Sequence, residues 1–182
     1  MTTAQTAPEH VREETPVPPL GWTIGRPEVA DGSRLRRIAR ESGVLDVDSP
    51  YSYLLWCRDF ADTSAVARDA GGRVAGFVTG YLRPEAPETL LVWQVAVDAP
   101  YRGLGIAGVL LDHLSARVAA AHTLRAVETT ISSGNLAAER LFSAYARRHG
   151  ASVRQAVLFP PAAFPPPGHE AEALHRIAPL SF

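Results

Sequence analysis

The hexapeptide Arg102-Gly103-Leu104-Gly105-Ile106-Ala107 is the part of this chain best suited to chemistry. It follows the apolar run 90–97 and precedes Val109, Leu110, Leu111, Leu114 and Val118, which recur at helical spacing. Glycines at 103 and 105 let main-chain amides approach a ligand closely. The first turn of a helix adds unpaired N–H groups and a partial positive charge. Strand, glycine turn and helix start, in that order, form a cradle for a diphosphate. The bland alternative is a plain strand-to-helix turn, and Arg102, Ala107 and the flanking elements favour the ligand.

The elements that must hold this cradle are readable from periodicity. Ser33 is placed to cap a short helix through Leu35, Ile38 and Ala39 that Gly43 stops. Ser49 and Pro50 start a second helix, with Tyr53, Leu54, Cys57 and Phe60 on one face. Strands are expected at 65–68 and 74–81, joined across Gly71-Gly72 as a hairpin. The run 90–97 reads as a central strand covered on both faces. A strand at 126–131 follows, then a helix from Asn135 with the stripe Ala138, Leu141, Phe142 and Tyr145. A strand at 152–159, a proline-rich crossing at 160–167 and a returning edge strand at 173–177 complete the chain. Antiparallel strands followed by alternating units give an α/β class with a mixed, mostly antiparallel sheet flanked by helices. One domain is expected over 21–182. Residues 1–20, with Pro8, Pro16, Pro18 and Pro19 among charges, read as a disordered tail.

Composition narrows the chemistry. The chain has 182 residues with 18 basic groups against 19 acidic ones, a formal charge of −1, and every basic residue is arginine. The absence of lysine excludes a Schiff-base lysine, a pyridoxal-phosphate anchor and the lysine of a phosphate-binding P-loop. Near-neutral charge argues against a nucleic-acid partner. Cys57 is the only cysteine, which excludes an intramolecular disulfide or a thiolate cluster and suits the reducing cytoplasm. Neither an export signal nor a membrane span of ~20 apolar residues is present, so no membrane partner is expected. On its apolar helical face, Cys57 reads as core rather than nucleophile. His169 and His175 are spaced wrongly for a zinc helix, and no metal is expected. His113, His122 and His149 read as surface or helix-end residues.

Arg102, Gly105 and Ala107 match the acetyl-coenzyme A motif [Gln/Arg]-x-x-Gly-x-[Gly/Ala], and Asn135, Ala138, Leu141 and Phe142 match the Asn-x-x-Ala-x-x-Leu-[Tyr/Phe] motif that follows it. In this the chain resembles the GCN5-related N-acetyltransferases (GNAT). The resemblance implies that the strand carrying Val95, Ala96 and Val97 holds the pantetheine arm through its backbone, splayed by a bulge from the strand at 127–131. It places Arg102, Gly103, Leu104, Gly105, Ile106 and Ala107 around the diphosphate, with Asn135 and Phe142 beside the cofactor. Many members have tyrosine where Phe142 stands, which protonates the departing thiolate. Phenylalanine cannot, and Tyr145, one turn on, is the candidate substitute.

The strings Leu45-Asp46-Val47-Asp48-Ser49-Pro50-Tyr51-Ser52-Tyr53, Val92-Trp93-Gln94-Val95-Ala96-Val97-Asp98 and Gly168-His169-Glu170-Ala171-Glu172 resemble, more closely, the diaminobutyrate acetyltransferases of ectoine synthesis. The resemblance implies acetyl transfer to the γ-amine of L-2,4-diaminobutyrate, with an acceptor pocket of Asp46, Tyr51, Trp93, His169 and Glu172. The substrate's own chemistry fits that set. Anionic Asp46 and Glu172 suit the ammonium that does not react, Trp93 offers a ring face to a cation, and His169 suits the carboxylate or a proton relay. Asp46 or Glu172 would accept the amine proton, Tyr51 would orient the amine, and an amide near Val95 would stabilise the oxyanion. Acetylation of another small amine or a peptide, and a non-catalytic acyl-CoA sensor, stand as alternatives. A homodimer is implied by resemblance only.

Overall fold

The computed structural model describes residues 16–132, 134–165 and 170–182. Most of the expected tail, residues 1–15, and the candidate His169 lie outside the described residues. The elements are β1 (Thr23–Gly25), α1 (Gly32–Ser42), α2 (Pro50–Arg58), β2 (Ala65–Arg68), β3 (Val74–Arg83), β4 (Ala86–Val97), α3 (Ile106–Ala121), β5 (Ala126–Thr130), α4 (Leu136–Arg148), β6 (Ser152–Phe159) and β7 (Glu172–Ala178). All seven strands join one sheet in the order β1-β2-β3-β4-β5-β7-β6. The β4–β5 pair is parallel and the others are antiparallel.

Two apolar layers follow from the strand alternation, since successive side chains point to opposite faces. Phe77 and Ala96 face α1 and α2, packing with Leu35, Ile38, Tyr53 and Cys57. Val78, Leu90, Val92, Val127 and Ile177 face α3 and α4, where Leu110, Leu111, Leu114, Phe142 and Tyr145 meet them. Burying each such large side chain contributes about 1.5–3 kcal/mol. Cys57 belongs to the first layer, and burial pushes its thiol up from 9.0 to about 12. It is therefore a neutral core group.

Several expectations are corrected. Ser33 does not cap α1: the helix begins at Gly32, and the preceding Asp31 makes no side-chain cap bond. Asp31 instead accepts from the Glu28 amide at 2.7 Å and from Arg68 at 2.9 and 2.7 Å. The apolar stripe of α2 is narrower than expected, because Tyr53 and Cys57 are buried whereas Leu54 and Phe60 are exposed. The run 90–97 is not covered throughout, since Trp93 is 49% exposed. The strand at 173–177 is not the edge either. β7 inserts between β5 and β6, with Ile177 opposite Val127 and fully buried, and β6 becomes the edge with Val157 and Phe159 exposed. Gly43 (φ 71°) ends α1, and Ser49 Oγ accepts from the Ser52 amide at 3.2 Å, as expected.

The feature that positions the site is an irregularity in β4. Thr79 pairs with Gln94 but Gly80 pairs with Val92, so Trp93 is an extra residue in its strand. The strands close up opposite it. A Cβ at Gly80 would sit 2.6 Å from the Leu91 carbonyl oxygen, inside any tolerated contact. Gly80→Ala is expected to force the β3 and β4 backbones apart and cost about 1–3 kcal/mol, read as a fall in thermal midpoint. Unchanged stability would mean that the bulge does not depend on that close approach.

Candidate active site

The β4–β5 ladder runs from Thr89–Ala126 to Val92–Thr129 and stops there, at the bulge. Beyond it, β5 stays with β7 while β4 continues along β3. The Asp98 amide bonds to the Ala75 carbonyl at 2.8 Å. This fixes the alternation: 94, 96 and 98 turn their main-chain groups towards β3, and Val95 and Val97 turn theirs to the open side. A strand edge exposed inside a cleft is a template for an extended ligand with amide groups of its own.

The open edge leads into a cavity of about 580 Å³, within the ~300–1,000 Å³ of small-molecule sites. Its lining includes Val95, Ala96, Val97, Arg102, Gly103, Gly105, Ile106, Ala107 and Asn135. Gly105 holds the N-cap position of α3 at φ 75°, with no side-chain cap. The left-handed backbone there turns the chain so that the first amides of α3 face the cavity unpaired. That is a main-chain anion site. Side chains rivet the turn in place. Asp98 Oδ1 accepts from the Ala99 amide at 3.0 Å, and Asp98 is ion-paired with Arg34. Arg102 Nε donates to the Val97 carbonyl at 3.2 Å, and the Tyr101 hydroxyl donates to Asp69 at 2.6 Å. Arg102 is thus a brace between the cradle and β4 as well as a lining residue.

The candidate cofactor residues divide. Val95, Ala96, Val97, Arg102, Gly103, Gly105, Ile106, Ala107 and Asn135 meet in the cavity. Asn135 Oδ1 accepts from the Ala138 amide at 3.1 Å and caps α4, which leaves its amide nitrogen as a spare donor. Leu104 is exposed at the turn and Phe142 is buried in the core, and neither lines the cavity. Tyr145 cannot substitute as an acid. It is fully buried, its hydroxyl donates to Ser115 Oγ at 2.8 Å, and burial raises its pKa above the ordinary 10.0.

At the bulge, the loop between α1 and α2 is fastened over β4. Gln94 Nε2 donates to the Asp46 carbonyl at 2.8 Å, and the Trp93 indole N–H donates to Asp48 Oδ2 at 3.0 Å. The Tyr53 hydroxyl orients Gln94, donating to its Oε1 at 3.0 Å. Burial, reinforced by the nearby Asp48 charge, raises the Tyr53 pKa and keeps it a donor. With its main chain held, Asp46 presents an exposed carboxylate, and Tyr51, in the first turn of α2, is 65% exposed. Trp93 stacks on Trp56 at 6.2 Å and is otherwise half exposed, outside the lining of the cavity. Glu172 begins β7, opposite Phe159 of β6 and three residues before His175, which pairs with Thr129 where the β4–β5 ladder ends. The sequence reading missed Asp48, Gln94 and Tyr53. The signal for Gln94 was present: a lone amide in an apolar run, here 6% exposed.

Among the described residues no group of three or more His, Cys, Asp or Glu gathers as a metal site. His175 pairs with Gln155 at 2.8 Å, and desolvation lowers its pKa.

Residues 33–146 match the acetyltransferase (GNAT) family model. The L-2,4-diaminobutyric acid acetyltransferase of Streptomyces avermitilis is 60% identical over 163 residues, 90% of this chain and 91% of that protein. The chain belongs to the GNAT acetyltransferases, among the diaminobutyric acid acetyltransferases. Its structure is similar, with a TM-score of 0.82 and 38% identity, to the diaminobutyrate acetyltransferase EctA of Paenibacillus lautus in complex with L-2,4-diaminobutyric acid and coenzyme A. That match covers 88% of this chain and 96% of the other. Ard1 of Thermoplasma volcanium, with a TM-score of 0.69 at 21% identity, shares the fold. GNAT enzymes take acetyl-CoA as co-substrate, and the uncapped helix, open strand edge and cavity volume fit it. For this acetyltransferase, Gly105→Ala imposes about 1–2 kcal/mol of left-handed strain on the amides of the cradle. Calorimetry should show weaker coenzyme A binding, and unchanged affinity would remove the cradle from the binding site.

Proposed function

We propose that this acetyl-CoA-dependent acyltransferase acetylates the γ-amine of L-2,4-diaminobutyrate on the way to ectoine, in the cytoplasm and as a homodimer. The observation that carries the reading is that one segment of β4 serves both halves of the reaction. Its open edge, at Val95 and Val97, faces the cofactor cavity, and Trp93 and Gln94 hold the loop that presents Asp46. The acceptor pocket is assigned to Asp46, Tyr51, Trp93, His169 and Glu172, of which Asp46 and Trp93 belong to the loop and bulge that Gln94 and Asp48 tie together and His169 lies outside the described residues. The exposed Val157 and Phe159 of edge strand β6 support a surface for a second copy.

Bound acetyl-CoA supplies an acyl carbon activated as a thioester. The acceptor amine has an ordinary pKa near ~10.4 and attacks only when neutral. Asp46 or Glu172 takes its proton directly or through a water, Tyr51 orients it, and the other carboxylate holds the second ammonium. The Val95 N–H donates to the acyl oxygen as charge develops there, a contribution typically of ~2.7–4 kcal/mol. No nucleophile from the chain is used, and Cys57 remains protonated in the core. With Phe142 and Tyr145 both in the core, the sulfur departs without a side-chain acid. A thiol pKa near ~8.5 makes that tolerable.

Thiol release from acetyl-CoA should be faster with diaminobutyrate than with putrescine, lysine, ornithine or peptide amines, and the product should carry its acetyl group on the γ-nitrogen. Asp46→Asn and Glu172→Gln should raise the KM for the amine about tenfold or more, each removing a bond to a charged group, with the acetyl-CoA KM nearly unchanged. A preference for peptides, equal loss of both KM values, or no release with any amine would contradict the reading. The last would favour an acyl-CoA sensor.

A further inference from the structure

Arg148, the last residue of α4, lines the cofactor cavity although no motif includes it. Its side chain is 8% exposed. Nη2 lies 2.8 Å from Asp112 Oδ2, a salt bridge by distance, but the N–H is not directed along it, and both Nε and Nη2 lack a hydrogen-bond acceptor. Asp112 is shared with His149, whose Nε2 lies 3.0 Å from its other oxygen. The guanidinium is thus neutralised in charge and left short of hydrogen bonds. A buried donor without an acceptor is costly.

The missing acceptor is identified by what lies beside it. Nη2 would be 3.7 Å from a Cβ at Gly108, ordinary contact distance, so the guanidinium lies beside the start of α3. Gly108 itself lines the cavity next to the uncapped amides of Ile106 and Ala107. Pro16 packs on the same face of Gly108, with its Cγ 3.1 Å from that Cβ position, and lines the same cavity. A planar cation with two unused N–H groups beside a main-chain anion site is built for a phosphate.

We propose that Arg148 is a second phosphate ligand of the coenzyme A site, working with the main-chain cradle of α3. This rests on the reading of the cavity as the cofactor site. A coenzyme phosphate takes the place of Pro16 against Gly108 and accepts from Nε and Nη2, and Asp112 holds the guanidinium for it. The ligand chemistry is a phosphate ester or diphosphate; the pantetheine and acyl portions play no part.

The test is direct binding, by calorimetry and competition, of coenzyme A, 3′-dephospho-coenzyme A and phosphate-free pantetheine. The proteins are wild type, Arg148→Gln, and the double variant Asp112→Asn/Arg148→Gln, which removes both charges together and guards against misfolding of the single variant. Coenzyme A should bind about tenfold or more weakly in both variants, with pantetheine affinity unchanged. If dephospho-coenzyme A loses the same factor, the contact is to the diphosphate. If it loses nothing, the contact is to the 3′-phosphate. Equal weakening of coenzyme A and pantetheine would make Arg148 a structural tie and overturn the proposal, as would coenzyme A affinity within twofold of wild type. Gly105→Ala is the control: if it too leaves coenzyme A binding intact, the cavity reading fails rather than the role of Arg148.

Discussion

The structure depends on one interruption of hydrogen bonding. At Trp93 the β4 strand carries a residue too many for its partner β3, and beyond that point it no longer pairs with β5. A sheet loses several ladder bonds by parting there, and unpaired main-chain donors inside a protein must find partners. The parted segment retains its pairing to β3 and leaves the main-chain groups of Val95 and the amide of Val97 for an amide-bearing arm to bond, the Val97 carbonyl being taken by Arg102. The same bulge turns Trp93 outward, where its indole can hold Asp48. The open strand edge and the fastened loop therefore have a common origin.

Charge is supplied locally rather than by the chain as a whole. A net charge of −1 and a complete absence of lysine leave no general attraction for a polyanionic cofactor. The binding has to come from oriented main-chain dipoles at α3 and from individual arginines. Those near the cavity are held in specific contacts: Arg34 by Asp98, Arg102 by the Val97 carbonyl and Arg148 by Asp112. Arginine suits this economy, since its planar fork stays charged when buried and makes several directed bonds.

The cradle was legible in the sequence because its glycines stand at the junction of an apolar strand and a helix, and that junction folds locally. The order of elements was legible for the same reason. What depends on pairing between distant segments was not. The segment 173–177 was expected at the sheet edge, yet β7 lies inside, between β5 and β6, because sheet order is set by which strand fills the gap beside β5. Ser33 has the chemistry of a cap, but Asp31 and Arg68 fix the start of α1 from across the fold. The fastening of Asp46 through Gln94 spans 48 residues and leaves only one trace in the sequence, an amide among apolar neighbours. Tyr145 shows the limit of spacing arguments: one helical turn from Phe142 it reaches Ser115 on α3 and not the cavity.

The most direct measurement of the central claim is of the backbone amides themselves. In ¹⁵N-resolved NMR with amide hydrogen exchange, adding coenzyme A should shift and protect Val95 and Val97 together with the first amides of α3, while Leu90 and Val92, already in the ladder, stay as they were. Protection confined to α3, with Val95 and Val97 exchanging as freely as before, would show that the parted strand is not where the cofactor arm lies, and would contradict the account.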